Sequence, residues 1–569
     1  MNMAPVNQDM RSPNWESIRS QISQIRKAFG TPSITCGVLH HGERIFHHAE
    51  GFADVHAKRV PDVDTVYPIA SCSKAFTSAT CAILVDEGLL SWDEPVSSYL
   101  PEFKTVHNKE VSQTATLIDL CSHSTGLASM DHAILGFHDE YLNDGADQVK
   151  ISSHLPMVSD FRTAFVYNNF MYGVVGEVIS RVCNKSLGSV MEEKLFEPLG
   201  LSRTYTKAAD YPSDGNVAKG YSVLDDGSFL QVSDPAIGDK SAQAGAGLIR
   251  STVNDMLSWA KAVMQAEEHQ SSREFAVKGE LLPGMAFTRS RHIPVTTDST
   301  TGVNSYGLGW FRHTIPSRWL GSISSNFMLL PDPPVIGQDS RERLTVCHYG
   351  ALGGFLSAFY TFPETCSAII VLANSSPSRG DPTDLIAQSL CQELFDMRPR
   401  VPLEKFALRA AETSRLIWPT LVHDWVFSRA NWAEIDMMPV LADYVGTYRN
   451  EGLKLHIDVF ESRQSKRKAM NCHQRNLEPL SFVVNSRDQQ AAKLRYYQQD
   501  VWTFLPNSRD DASKKGMETY MSLPLVLLSF VRDMAGQIRW LDWDLYGVSG
   551  QSESHEAYKV EPVRFEKIR

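Results

Sequence analysis

The chain has no CxxC pair, no HExxH, no GxSxG and no glycine-rich loop of the GxGxxG or GxxxxGK type. Each absence removes a class of chemistry. Without HExxH there is no zincin arrangement, and without GxSxG there is no α/β-hydrolase elbow. Without the glycine loops, dinucleotide and P-loop nucleotide binding have no support. The nine cysteines are odd in number and scattered over 569 residues. They read as reduced thiols in a reducing compartment rather than a disulfide frame. No apolar run approaches membrane-spanning length, since the strongest, PLVLLSF from Pro524 to Phe530, is far too short. The first twenty residues contain no apolar segment of the secretory type, so a soluble cytoplasmic protein is expected. Positive charge is neither abundant nor clustered. Lysine and arginine total 55 against 66 acidic residues, for a net charge of -11, and only Lys466-Arg467-Lys468 forms a short basic run. Nucleic acid is therefore not an expected partner, and neither is a membrane.

What is present is an ordinary apolar share, 43%, in a chain long enough for two or three domains. Trp15, Ile18, Ile22, Ile25 and Phe29 recur at steps of three and four, which predicts an amphipathic helix. ITCGVL, HHGE and RIFHHA predict two strands joined by a tight turn. IASCSKAFTSATCAILVDEGLL, Ile69 to Leu90, reads as one mostly buried helix closed by Gly88. Helical patterns follow over Tyr172 to Val182 and Thr252 to Met264. RLTVCHY, FLSAFYTF and SAIIVLAN then read as strands, and Asp384 to Phe395 as a helix. Strands at both ends of this region imply a sheet assembled from distant parts of the chain, with a helical insertion between them. Residues 400–435 read as a helical connector. From Val440 onward, alternating runs such as KLHIDVF, LSFVV, KLRYYQQDVWTF, LVLLSFV and IRWLDWDLYGV predict a small all-β domain, barrel or sandwich. The expected divisions are 1–395, 396–437 and 438–569.

Three SxxK tetrads occur: Ser71/Lys74, Ser258/Lys261 and Ser465/Lys468. Ser258 lies inside an amphipathic helix, and Ser465 in the basic stretch SRQSKRKA. Only Ser71 opens a mostly apolar helix, where a lysine one turn on is drawn into a low-dielectric setting. That setting suits the chemistry. A serine hydroxyl is a poor nucleophile until a base takes its proton. A lysine with the free value of about 10.4 cannot serve as that base, but burial and a nearby positive group both lower it. The bland alternative for Ser71 is a helix N-cap. YxN also occurs three times. Tyr448/Asn450 belongs to the β region, Tyr141/Asn143 to the acidic stretch HDEYLNDGAD, and Tyr167/Asn169 lies just before an apolar helix. HxG occurs at His40-His41-Gly42, which a hairpin turn explains, and at His348-Tyr349-Gly350, which ends a strand. Glycine there allows close approach to the backbone.

In this order, DTVYPIASCSKAFT, TLIDLCSHSTGL, FVYNNFMYGVVGEVI, AGAGLIRSTVNDMLSWAKAVM, YGLGWF and CHYGALGGF resemble the serine β-lactamase and penicillin-binding-protein superfamily. More narrowly they resemble its branch of class C β-lactamases, D-aminopeptidases and esterases, and fungal lovastatin-type acyltransferases. The resemblance covers roughly residues 30 to 395. It implies an α/β (α+β) fold, with an antiparallel sheet flanked by helices and carrying an all-α insertion. The C-terminal part resembles the lipocalin-like barrel appended to some members. The resemblance further implies that Ser71 is the acylated nucleophile, Lys74 its base, and Tyr167 the group that protonates the leaving group. Asn169 would position Lys74 and the substrate, His348 and Gly350 would shape the cleft edge, and the N–H groups of Ser71 and Ala351 would form the oxyanion hole. Tyr349, bulkier than the residue usual there, is placed with the substrate-binding set, with packing as its alternative. His348 stands where many members have lysine and would titrate near neutrality, which argues against recognition of a substrate carboxylate.

These readings predict a serine esterase, amidase or acyltransferase acting on a small molecule, such as a polyketide or peptide natural product. No cofactor or metal is expected. The rivals are a β-lactamase or D,D-peptidase/D-aminopeptidase, and an inactive binding scaffold. Cys72 reads as a small buried residue, the Tyr141 stretch as a solvated acidic segment, and Trp540 and Trp543 as core or barrel lining. SISSNFMLLPDPPVIGQDSRER reads as an insertion lining the substrate entrance.

Overall fold

The computed structural model describes residues 13–568 apart from 137–140, 144, 236, 274–276, 296–303, 429–438, 463–477, 518–521 and 547–560. The Ser465/Lys468 tetrad lies outside the described residues. The chain divides into two compact units. One is Met1–Glu87, Met191–Val223 and Ile249–Ser414, and the other is Gly88–Val190, Leu224–Leu248 and Arg415–Arg569.

The first unit is built on an eight-stranded antiparallel sheet. Helix α1 (Trp15–Phe29) begins on the Asn14 cap and stops at Gly30, which takes φ +71. Strands β1 (Ser33–His40) and β2 (Glu43–Gly51) form the predicted hairpin, with His41 and Gly42 both at positive φ in its turn. Two positive-φ residues suit the right-handed twist of the flanking strands. The chain then forms helix α2 (Ser73–Asp86) and helix α3 (Val253–Ser271). It returns through β3 (Ile293–Pro294), β4 (Ser305–Tyr306), β5 (Phe311–Ile315), β6 (Arg343–Leu352), β7 (Phe355–Phe362) and β8 (Ser367–Ala373), ending in helix α4 (Pro382–Leu394). The spatial order is β2-β1-β8-β7-β6-β5-β4-β3, so the first strand pairs with the last. Seven of the eight β1 residues are buried because both sheet faces are covered, which removes the need for polar alternation.

The two faces can be assigned from register. Gly37, Ile370, Phe359 and His348 lie opposite one another across β1, β8, β7 and β6 and share a face. A Cβ on Gly37 would come within 2.6 Å of Val253 and 2.9 Å of Leu257, so α3 covers this face. Phe46, paired with Val38, points the other way and stacks on Trp15 of α1 at 4.5 Å. Helix α4 packs with α1 on that second face. Helix α2 is buried along nearly its whole length, and its Phe76 ring stacks on Trp259 of α3 at 4.2 Å. Its interior hydroxyls are satisfied: Thr80 donates to the Phe76 carbonyl one turn back and Ser78 to the distant Leu308 carbonyl.

The second unit contains the predicted helical insertion, with helix Asn169–Cys183 at its centre, and a closed antiparallel barrel. The barrel strands are β9 (Gly446–Asn450), β10 (Leu455–Glu461), β11 (Leu480–Val484), β12 (Ala491–Gln498), β13 (Val501–Thr503), β14 (Leu527–Arg532), β15 (Ile538–Trp543) and β16 (Val563–Lys567). Inward residues alternate with outward ones, as in Leu455, Ile457 and Val459 of β10. Phe482, Phe504 and Trp543 pack edge to face in the core, with ring centroids 5.2 to 6.2 Å apart. Trp543 is therefore core, as read, whereas Trp540 is half-buried on the outward side of β15, with the Arg564 guanidinium over its ring at 5.5 Å. Tyr448 is buried and donates to the Tyr444 carbonyl, a structural tyrosine. KLRYYQQDVWTF, taken as one run, is two strands turning at Asp500, which adopts φ +52. The Tyr141 stretch is not a free solvated loop. Asn143 donates to the Leu453 carbonyl and Asn485 to the Leu142 carbonyl, so this segment docks on the barrel.

Candidate active site

Ser71 is not an N-cap. The predicted helix breaks at its start into a 3-10 turn, Ala70–Cys72, followed by α2, and neither has a side-chain cap. Ala70 adopts φ +47, a costly conformation for a residue with a Cβ. The turn leaves Ser71 partly exposed while Lys74, one turn on, is 0% exposed. The Lys74 Nζ lies 2.9 Å from Ser71 Oγ.

Neighbouring groups fix this turn. Ser357 Oγ donates to the Ile69 carbonyl at 2.9 Å, and Ser73 Oγ accepts from the Ile249 N–H at 3.1 Å. Strand β6 presses directly on the turn. A Cβ on Gly350 would overlap the Ile69 carbonyl oxygen and come within 3.0 Å of the Ala70 Cβ, so this position demands glycine. Gly309, in the YGLGWF stretch, takes φ +82, and a Cβ there would lie 2.6 Å from the Lys74 carbonyl oxygen. Cys72 Sγ lies 3.3 Å from Ser357 Oγ, and burial pushes its thiol up to about 12, so it is a packed thiol.

His348 departs from expectation. It is fully buried, with Nδ1 2.7 Å from the Tyr349 carbonyl oxygen and Nε2 3.0 Å from Tyr306 Oη. Burial, then the Lys74 amine, lowers its pKa to about 3. It does not titrate near neutrality, because an imidazolium there would be stripped of water. Tyr349 also differs from its placement with the substrate contacts. Strand alternation sends it to the face opposite His348, where its hydroxyl meets the Leu320 carbonyl and Tyr360. It is a packing aromatic. The expected entrance-lining insertion lies on the same far side: Asn326 donates to the Asp381 carbonyl and the Asp384 carboxylate of α4. Ala351 is exposed at the end of β6.

The second unit holds Tyr167 and Asn169. Tyr167 is half-buried, its ring 4.4 Å from that of His123. Asn168, between them, is the structural member. It caps helix Asn169–Cys183 through the Phe170 N–H, and its amide donates to the Leu127 and Ala128 carbonyls. Its backbone N–H donates to His123 Nδ1 at 3.0 Å, so that nitrogen is unprotonated. Asn169 Nδ2 donates to Asp131 at 2.9 Å, and Gln243 Nε2 donates to the other oxygen of that carboxylate at 2.8 Å. Gln243 opens the AGAG turn. A Cβ on Gly173 would overlap the Ala242 carbonyl oxygen, and one on Gly245 that of Tyr172, so helix and turn meet backbone to backbone. Sequence reading missed His123, Asp131 and Gln243. Their signal was position only, within or beside the TLIDLCSHSTGL and AGAGLI stretches.

Among the described residues no group of three or more His, Cys, Asp or Glu could hold a metal ion, and no helix is long and apolar enough to cross a membrane.

A family model described as Beta-lactamase matches residues 18–390. An unguisins hydrolase from Aspergillus violaceofuscus is 29% identical over 276 residues, 47% of this chain and 48% of that protein, so the chain spans about half the length of that relative. A beta-lactamase from Yersinia enterocolitica is 22% identical, covering 60% of this chain and 86% of that protein. The octameric penicillin-binding protein homologue from Pyrococcus abyssi shares the fold with a TM-score of 0.56 at 19% identity, covering 87% of this chain and 94% of that one.

Proposed function

Because the chain belongs to the beta-lactamase family of serine hydrolases, we propose that it forms an acyl-enzyme on Ser71 and cleaves or transfers the acyl group of a small-molecule ester or amide. The observation that carries this reading is the 2.9 Å approach of the buried Lys74 Nζ to Ser71 Oγ. Burial disfavours a charged amine, and an uncharged one can take the hydroxyl proton as Oγ attacks the carbonyl carbon. On this reading Tyr167 returns a proton to the leaving group, and Asn169 holds the lysine and substrate in register. The N–H groups of Ser71 and Ala351 receive the oxyanion, where one donor is worth about 3 kcal/mol in acyl transfer. Water as acceptor gives hydrolysis, while an alcohol or amine gives transfer. The relative named as an unguisins hydrolase supports hydrolysis as the reaction, and a polyketide or peptide natural product is our reading of the substrate. We also read the chain as cytoplasmic, since none of its described cysteines is joined in a disulfide, and as organised functionally at about residues 395 and 437.

Incubation with a fluorophosphonate followed by intact mass tests the reading. One adduct is expected on the wild type and none on Ser71→Ala. No wild-type adduct, or equal labelling of both, refutes it.

A further inference from the structure

The hydrogen bond that holds the Ser71 turn passes through a space that only glycine leaves open. Gly350 of β6 and Ser357 of β7 are direct cross-strand partners, so position 357 faces the same way as position 350. A Cβ on Gly350 would lie 2.3 Å from the Ile69 carbonyl oxygen and 2.5 Å from Ser357 Oγ. The side chain missing at 350 is therefore the room in which the Ser357 hydroxyl reaches the Ile69 carbonyl, at 2.9 Å. Ser357 is 1% exposed. A hydroxyl has one proton to give. Here it goes to Ile69, and the oxygen's lone pairs are left to the Cys72 thiol at 3.3 Å.

Ile69 is held on both sides. Its N–H donates to the Ile249 carbonyl at 3.0 Å, and its carbonyl also receives the Cys72 N–H at 3.2 Å, the bond that closes the 3-10 turn. The Ile69 carbonyl belongs to the planar peptide that ends at the Ala70 nitrogen. The Ala70 φ is the rotation next to that plane, so whatever fixes the carbonyl direction helps to fix φ at +47. That φ is unfavourable for a residue with a Cβ. Released, the plane turns and Ala70 returns to negative φ, which swings Ser71 Oγ away from the Lys74 Nζ that now lies 2.9 Å from it. We propose that Ser357 is a positioning residue for acylation: its hydroxyl, reaching through the gap at Gly350, latches the Ile69–Ala70 peptide and so aims Ser71 at Lys74. The inference rests on the acyl-enzyme at Ser71.

The rate at which a fluorophosphonate labels Ser71, followed by intact mass over a range of probe concentrations, separates the maximal rate kinact from the binding constant KI. Ser357→Ala leaves the backbone ladder between β6 and β7 in place, and circular dichroism with a melting curve checks its fold. It is expected to lower kinact ~10- to 100-fold, the scale of a reacting atom displaced by about 1 Å, with KI within about twofold. Ala70→Gly is the second variant, because glycine takes positive φ without penalty. In that background Ser357→Ala is expected to cost at least about fivefold less than in the wild-type chain, since the strain the latch opposes is gone. A folded Ser357→Ala that labels within about twofold of wild type overturns the latch and leaves the acyl-enzyme standing. An equal fold loss with and without Ala70→Gly also overturns it, because the hydroxyl would then act on something other than the strained residue. If the wild type takes no label at Ser71, or Ser71→Ala labels equally, the acyl-enzyme reading fails and this inference falls with it.

Discussion

Ser71 and Ser258 each begin a serine-x-x-lysine tetrad, and each serine points toward a polar neighbour, yet the two regions differ in every feature that matters for chemistry. Ser258 lies in the middle of α3, donating to the Asn254 carbonyl and accepting from Arg44. Its Lys261 is 41% exposed and reaches toward Glu43 at 3.9 Å. Ser71 occupies a strained turn outside any regular helix, and its lysine is enclosed and aimed at the hydroxyl. The spacing is the same. What separates them is a sheet strand pressed on one and solvent over the other. The largest effect is therefore expected from Ser71→Ala or Lys74→Ala, each cutting acylation by about 10⁴-fold or more, on the scale of losing a nucleophile or its base. Ser258→Ala and Lys261→Ala are expected to leave it within about twofold. A comparable loss at Ser258 in a fluorophosphonate labelling assay would erase the distinction.

The two regions are also joined, because Phe76 of α2 stacks on Trp259, the residue after Ser258. Both rings are fully buried. Phe76→Ala is expected to cost ~3–5 kcal/mol of stability, as a large cavity between the helices would. Chemical denaturation checks it, and a cost under about 1 kcal/mol would mean that α2 is held in place by the sheet alone. The next effect is smaller and more local. Gly350→Ala forces a Cβ onto the Ile69 carbonyl, and the Ser71 turn must yield. A displacement near 1 Å at a reacting atom costs ~100-fold. Gly238→Ala, where a Cβ meets nothing within 4 Å, is the matched control. Equal acylation rates in the two variants would show that strand pressure does not set the Ser71 position.

Much of this architecture was legible because local pattern and tertiary demand agree. The β1-β2 hairpin, α1, α3, α4 and the barrel strands carry the period their packing needs. The motifs at Ser71 and Tyr167 were separable from their duplicates by the apolar helices that follow them. What was illegible is what distant segments impose. Nothing near Ala70 announces a positive φ or a 3-10 turn, because β6, almost 280 positions on, is what presses there. Asp131 and Gln243 meet Asn169 only through folding. Tyr349 was decidable in principle. A period of two along β6 separates it from His348 and Gly350, so all three could not face one cleft.

His348 offers the finest discrimination between the Ser71 region and the rest of the fold, through stability rather than rate. Its native pKa, about 3, lies below the unfolded value of about 6.5. A depressed histidine favours the native state above pH 6.5. That contribution is lost as pH falls toward 3, because the unfolded chain takes up a proton that the native chain refuses. At pH 5 the gap between the unfolded value and the solution corresponds to about 2 kcal/mol. His313, also buried with its pKa lowered to about 4, adds a loss of the same sign, so the wild-type curve alone cannot assign the effect. The difference between wild type and His348→Gln does so. The variant is expected to start less stable at pH 7.5, having lost a shaped acceptor for Tyr306, and then to fall by about 2 kcal/mol less between pH 7.5 and 5. Parallel denaturation curves across that range would mean that the imidazole is as free to protonate in the native chain as in the unfolded one.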